Sequence, residues 1–376
     1  MKNRNLDVKE ASDVFSEFPQ ERLPVMAGRP KWKSDGNRLR SETMSLRTKS
    51  GTVLHVLAAM LLLFIAASAM THGTIEAQTV NWVEMGSPSA RCCMGMAYDP
   101  ATNTSVLFSG SNGGADTWIW HGGWFPMSPA TSPPERSNSG LVSDGTGNMV
   151  LFGGTTSTGN FLNDTWTWDG TTWTQQSPPV SPSPRSQMAM AYDPATSSVV
   201  LFGGCNISPG ACKLGDTWTW NGVAKTWTQQ NPIVSPSARR APMAYDNANG
   251  TMLLFGGDNA VGVQYTDSWN WNGTNWVQVF PASIPTPARN SANMTYDATL
   301  GAILLFGGCA GDWENSLNDT WIWNGNAWRQ IHPATVPHNR YDFGMVYNPE
   351  YKALLMFGGF SSGPALSDTW LLALRP

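Results

Sequence analysis

The chain has 376 residues, 13% of them charged, with a formal net charge of −4 and 37 glycines, 26 prolines and 19 tryptophans. That mix suits many short strands joined by tight turns and argues against a disordered or helical protein. Residues 1–50 carry eleven Lys/Arg against seven Asp/Glu and the remainder twelve against twenty. No basic stripe runs through the body, so nucleic-acid binding is not expected.

Residues 1–50 read as a polar, basic leader, disordered or not translated. Residues 51–77 read as a signal peptide or a signal anchor. Within them Val53 to Met70 is an eighteen-residue apolar stretch preceded by Arg47 and Lys49. Its length suits either a secretory core or a short membrane span. Cleavage after Ala77 would release the rest, whereas retention would leave residues 53–70 as an anchor with its basic side in the cytoplasm. Either way residues 78–376 are expected to be extracytoplasmic, as a secreted, periplasmic or membrane-tethered body.

Residues 78–376 repeat one pattern with a period of about 50 residues. Each copy reads Arg, small residues, Met-x-Tyr-Asp, an apolar run to Phe-Gly-Gly, Asp-Thr-Trp-x-Trp, a tight turn and another Trp. In one copy, Arg185 to Tyr192 is expected as a strand, then Ser198 to Phe202, Asp216 to Trp220, and Trp227 to Gln230. Period-two spacing puts Trp218 and Trp220 on one sheet face, where large rings fill the space between neighbouring sheets. The double-glycine site recurs at Ser109-Gly110, Gly153-Gly154, Gly203-Gly204, Gly256-Gly257, Gly307-Gly308 and Gly358-Gly359. Third-strand tryptophans recur at Trp118, Trp166, Trp218, Trp269, Trp321 and Trp370, but fourth-strand tryptophans follow only five of them. The missing strand stands at the other end, where Asn81-Trp82-Val83-Glu84 has no sheet before it. The expected architecture is therefore all-β: a six-bladed propeller closed by its N-terminal strand, with Trp82 beside Trp370.

These Phe-Gly-Gly, Tyr-Asp and Asp-Thr-Trp motifs resemble the kelch repeat family, in particular its exported bacterial members. The resemblance spans about four-fifths of the chain and implies a kelch-type β-propeller. Blade one departs from it with Ser109 for the first glycine, and blade two with Val142-Ser143-Asp144.

In such a propeller the variable loops after Gly-Gly and those entering the next Arg share one face around the channel mouth. Arg91, Arg136, Arg185, Arg239, Arg289 and Arg340 enter the innermost strands there. They read either as a cationic rim for a carboxylate or as repeat grammar bonded to loop carbonyls and blade acids. Arg239 sits one residue closer to its Tyr than the others do. Trp313, between Asp312 and Glu314 in the blade-five loop, falls outside the blade pattern. It could stack a sugar face while the acids accept its hydroxyls, or fold back as a lid. Tyr265 is a second candidate of that kind. The Asp of each Asp-Thr-Trp is expected to cap a turn.

Cys205 and Cys212 are close enough in sequence to bridge, a link of about 2–3 kcal/mol in an oxidising compartment. Cys92, Cys93 and Cys309 form an odd remainder. No zinc spacing occurs, and no metal or cofactor is expected. His332, His338, Tyr341, Cys309 and Tyr265 on one face invite comparison with galactose oxidase, a copper enzyme of the kelch type. The functional expectation is a monomeric, non-catalytic module binding a glycan or protein partner. The alternative is a sugar-directed kelch enzyme, oxidising or epimerising its substrate.

Overall fold

The computed structural model describes residues 81–85, 88–206, 212, 214–311 and 314–373. The leader, the apolar segment 53–70, Asp312 and Trp313 lie outside the described residues. Twenty-four strands and no helix occur among the described residues.

The strands form six four-stranded antiparallel sheets, five of them from consecutive strands. Blade one holds β2–β5 (Gly95–Asp99, Thr104–Phe108, Thr117–Trp120, Trp124–Met127). Blade two holds β6–β9 (Gly140–Ser143, Met149–Phe152, Thr165–Trp168, Trp173–Gln176). Blade three holds β10–β13 (Ala189–Asp193, Ser198–Gly204, Leu214–Asn221, Thr226–Gln230). Blade four holds β14–β17 (Met243–Asp246, Thr251–Phe255, Ser268–Trp271, Trp276–Val279). Blade five holds β18–β21 (Asn293–Asp297, Ala302–Phe306, Thr320–Trp323, Trp328–Ile331). Blade six joins β22–β24 (Gly344–Asn348, Ala353–Phe357, Thr369–Ala373) to β1 (Asn81–Met85). Each innermost strand neighbours the next, and β22 returns to β2.

β1 pairs with β24 as the strand count requires, but the register sets Trp82 opposite Leu372 and Glu84 opposite Trp370. The inner strands also start later than the sequence suggests. Arg185 stands before β10, because Gln187 turns the chain through a left-handed φ of 54° before the strand begins.

The second strand of each blade is sandwiched by neighbouring blades and is apolar almost throughout, as a strand covered on both faces must be. Val106, Leu107, Phe108 and their counterparts Val199 to Phe202 are fully buried. At five interfaces between blades the second-strand Phe packs on the fourth-strand Trp of the next blade, as in Phe152–Trp227 at 5.1 Å and Phe202–Trp276 at 5.1 Å. The same indoles reach back to the previous blade's Asp-Thr-Trp threonine. Trp173 donates to Thr117 at 2.9 Å, Trp227 to Thr165 at 3.0 Å and Trp276 to Thr217 at 2.9 Å. Trp124 donates to Thr369 of blade six at 2.9 Å, closing the ring with the same contact. Blade four carries Ser268 at the threonine position, and there neither the serine hydroxyl nor the Trp328 indole nitrogen finds a partner.

The double glycines are needed for space as well as dihedral angle. Gly204 has φ 105°, and a Cβ on it would lie 2.7 Å from the Ser186 carbonyl, closer than a side chain tolerates. Ser109 holds the first position of the pair in blade one at φ 57°. It is held there by its hydroxyl, which donates to Gly114 O at 2.6 Å and accepts from Arg136 N at 3.0 Å.

Candidate functional site

The six blade arginines are not a rim. Each is at most 1% exposed, and each points along its own blade to the Asp of Asp-Thr-Trp, at 2.5–2.6 Å in every blade. Arg185 shows the full set. Its Nη1 and Nη2 grip Asp216 at 2.6 and 2.8 Å, Nη1 also donates to Gly203 O, and Nε donates to Ser183 O. The guanidinium fork is thus consumed inside the blade, leaving nothing for a ligand carboxylate. The reading that holds is the bonding to loop carbonyls and blade acids.

The Asp of Asp-Thr-Trp is correspondingly not a turn cap. Besides its arginine, Asp216 accepts from the Trp218 indole two residues on at 2.7 Å, and the other five blades repeat this. Burial alone would raise the carboxyls of Asp164, Asp216 and Asp368. The hydrogen bond and charge of the arginine, with the indole N–H, nonetheless hold them below the ordinary carboxylate range. Turn capping belongs to the Tyr-Asp aspartates, as in Asp193 accepting from Ala195 N at 2.9 Å.

Tyr265 is half-buried with the Arg239 guanidinium 3.7 Å from its ring centre, so its face is already occupied by a cation. Glu314 is exposed in the blade-five loop. His332 and His338 are both exposed, and among the described residues no group of three or more His, Cys, Asp or Glu could hold a metal ion. Cys205 and Cys212 are joined by a disulfide, and so are the adjacent Cys92 and Cys93, while Cys309 is buried outside both bridges.

The concave feature is the central channel, a cavity of about 690 Å³ walled by the six innermost strands and the residues entering them. At the end marked by the arginines, the residue two past each Arg turns inward in the left-handed conformation. These are Cys93, Asn138, Gln187, Ser291 and Asp342, at φ 51–63°. Their backbones are chained: Asn138 N donates to Cys93 O, Gln187 N to Asn138 O, Asp342 N to Ser291 O and Cys93 N to Asp342 O, at 2.7–3.1 Å. Blade four has no left-handed residue at this position: Arg239 is followed by Arg240-Ala241-Pro242, and its Arg-to-Tyr spacing is one residue shorter than elsewhere. The side chain of Arg240 occupies the gap. It grips Asp258 through Nε at 2.6 Å and Nη2 at 3.2 Å, and reaches Gln187 Oε1 through Nη1 at 3.0 Å. Asn290 adds an amide donor to Asp258 at 3.1 Å.

Asp342 is crowded by protein yet keeps part of its surface open to the channel. Burial pushes its carboxyl above the usual range, opposed by the Arg240 charge and the Ser291 hydroxyl and reinforced by Asp258. The shortened spacing of Arg239 was the sequence signal for this sector, but spacing alone could not show which side chain would fill the gap.

The family model described as the KLHDC2/KLHL20/DRC7 Kelch-repeats domain matches residues 116–276. A tRNA wybutosine-synthesizing protein 4 from Emericella nidulans is 31% identical over 138 residues, 33% of this chain, and the chain spans only 12% of that relative's length. The solved structure titled "Structure of YjhT" superposes with TM-score 0.61 at 14% identity, covering 77% of this chain and 97% of that one. Six Arg-to-Trp repeats, a strand order that closes on itself and these matches show a six-bladed β-propeller whose residues 116–276 are similar to the kelch-repeat family.

Proposed function

We propose that this propeller is an extracytoplasmic, non-catalytic binding module whose channel-mouth face and variable loops engage a protein or glycan partner. One observation carries the reading. The frame repeats blade by blade in its Arg–Asp pairs, indoles and glycines. The residues facing the mouth instead differ in every blade: Cys93, Asn138, Gln187, Arg240, Ser291 and Asp342. A rigid scaffold with a varied rim is an arrangement suited to recognition. Kelch propellers are typically protein-binding modules, which favours a protein partner. The glycan option rests on the sequence, where Trp313 stands between Asp312 and Glu314. The extracytoplasmic placement rests on the apolar stretch 53–70 and on two disulfides, which persist in oxidising compartments.

The test is to screen the full chain on a glycan array and against a displayed protein library, then to repeat each hit with two variants. Asn138→Ala alters the mouth, and Asp169→Ala alters the turn between β8 and β9 on the opposite face. Loss of binding in the first and retention in the second supports the reading. Hits lost only with Asp169→Ala, or no hit in either screen, would contradict it.

A further inference from the structure

We propose that the blade-four gap makes the channel mouth a site for an alkylammonium group, held by the Asp342 carboxylate, as in a primary amine or a lysine side chain. The inference rests on the binding-module reading and names the ligand chemistry of its mouth.

The charge arrangement in that sector is asymmetric. Arg240 is the one cation lining the channel among the described residues, and its three donor nitrogens serve Asp258 and Gln187. Asp258 is matched in turn by Arg240 and by the Asn290 amide, so this pair is neutral and satisfied. Arg240 is therefore a support and not a hook for an anion. Asp342 is the other charged group lining the channel among the described residues; it lies within reach of the Arg240 charge, whose guanidinium donors go to Asp258 and Gln187. Its backbone is fixed at both sides by the hydrogen bonds from Cys93 N and to Ser291 O. Its carboxylate shares the lining with the Asn138 amide, whose oxygen can accept a hydrogen bond.

An ammonium group brings three donors to these acceptors, whereas an anionic ligand would meet a carboxylate and an already neutralised guanidinium. Below the mouth, Met96, Met190 and Ala292 line the wall and suit an alkyl stem. The body's excess of acidic residues also draws cations toward it.

The experiment is calorimetric titration of the full chain with n-butylamine and, as a neutral counterpart, butan-1-ol, repeated with Asp342→Asn. The expected result is that the amine binds at least about tenfold more tightly than the alcohol. Asp342→Asn should remove that preference while circular dichroism shows the native fold. Equal binding of amine and alcohol overturns the proposal, as does a folded Asp342→Asn protein that keeps the preference. If Asp342→Asn does not fold, the wild-type comparison decides alone. A short peptide with one lysine, set against its acetyl-lysine form, separates the two sources. Preference for the lysine peptide over butylamine identifies a side chain as the ligand, and the reverse order identifies a free amine. A mouth-dependent partner found without any amine preference would sink the ammonium assignment and spare the binding-module reading. Amine preference without any mouth-dependent partner would do the opposite.

Discussion

Replacing Arg185 with Met separates a structural arginine from a ligand-binding one. The guanidinium is fully buried and makes two bonds to Asp216, one to Gly203 O and two to Ser183. Methionine keeps the apolar stem but leaves the Asp216 carboxylate and the Gly203 and Ser183 carbonyls without their arginine donor. Removing one member of a buried pair costs about 3–5 kcal/mol. Because the Asp216 side chain retains 24% exposure, water reaches the orphaned charge and the lower end, about 3 kcal/mol, is the better figure. At about 2–4 °C per kcal/mol for domains approaching this size, the melting temperature should fall by about 6–12 °C. The effect should depend on pH. Asp216 is held below its unfolded value, so the stability it contributes is complete above the ordinary carboxylate range. It is lost as pH falls through the depressed folded value. Scanning calorimetry of wild type and Arg185→Met should therefore show a gap that is full at neutral pH and narrows in strong acid. A variant that melts with the wild type at neutral pH, yet loses affinity for a mouth ligand, would refute the argument and restore the cationic rim.

Trp276→Phe removes the indole donor to Thr217 and should cost about 1–3 kcal/mol, read by urea unfolding. Trp328→Phe, whose indole nitrogen is already without a partner, should cost distinctly less. Gly204→Ala places a Cβ against the Ser186 carbonyl at φ 105° and should destabilise more than either, a ranking the same unfolding series checks. Amine binding at the mouth should strengthen as pH rises through the raised range of the Asp342 carboxyl, with Arg240, Asp258 and the Ser291 hydroxyl as the groups facing it. Titration at several pH values checks this, and a flat profile would count against Asp342 as the anchor.

Much of the fold was readable because the repeat writes the same physics six times. Phe-Gly-Gly and Asp-Thr-Trp mark strand ends, and the count of fourth-strand tryptophans demanded a strand from the N-terminus, which β1 supplies against β24. The role of Arg185 was harder to read. Periodicity shows that a residue recurs but not whether its charged head faces water or a partner 31 residues away, such as Asp216. The Asp of Asp-Thr-Trp was misread for the same reason, since its partners are an arginine ahead of another strand and an indole two positions on. The inward residues Cys93 to Asp342 share neither composition nor charge, so no pattern joined them. Only the backbone, with its run of left-handed turns, brings them to one mouth.

Ring closure governs every statement about a shared mouth, and amide hydrogen exchange of the full chain tests it most directly. Amides of residues 81–85 should exchange as slowly as those of β24, and Leu371→Pro, opposite Val83, should expose both segments together. Fast exchange at 81–85 in the wild-type protein, or protection there that survives Leu371→Pro, would contradict a propeller closed by its first strand.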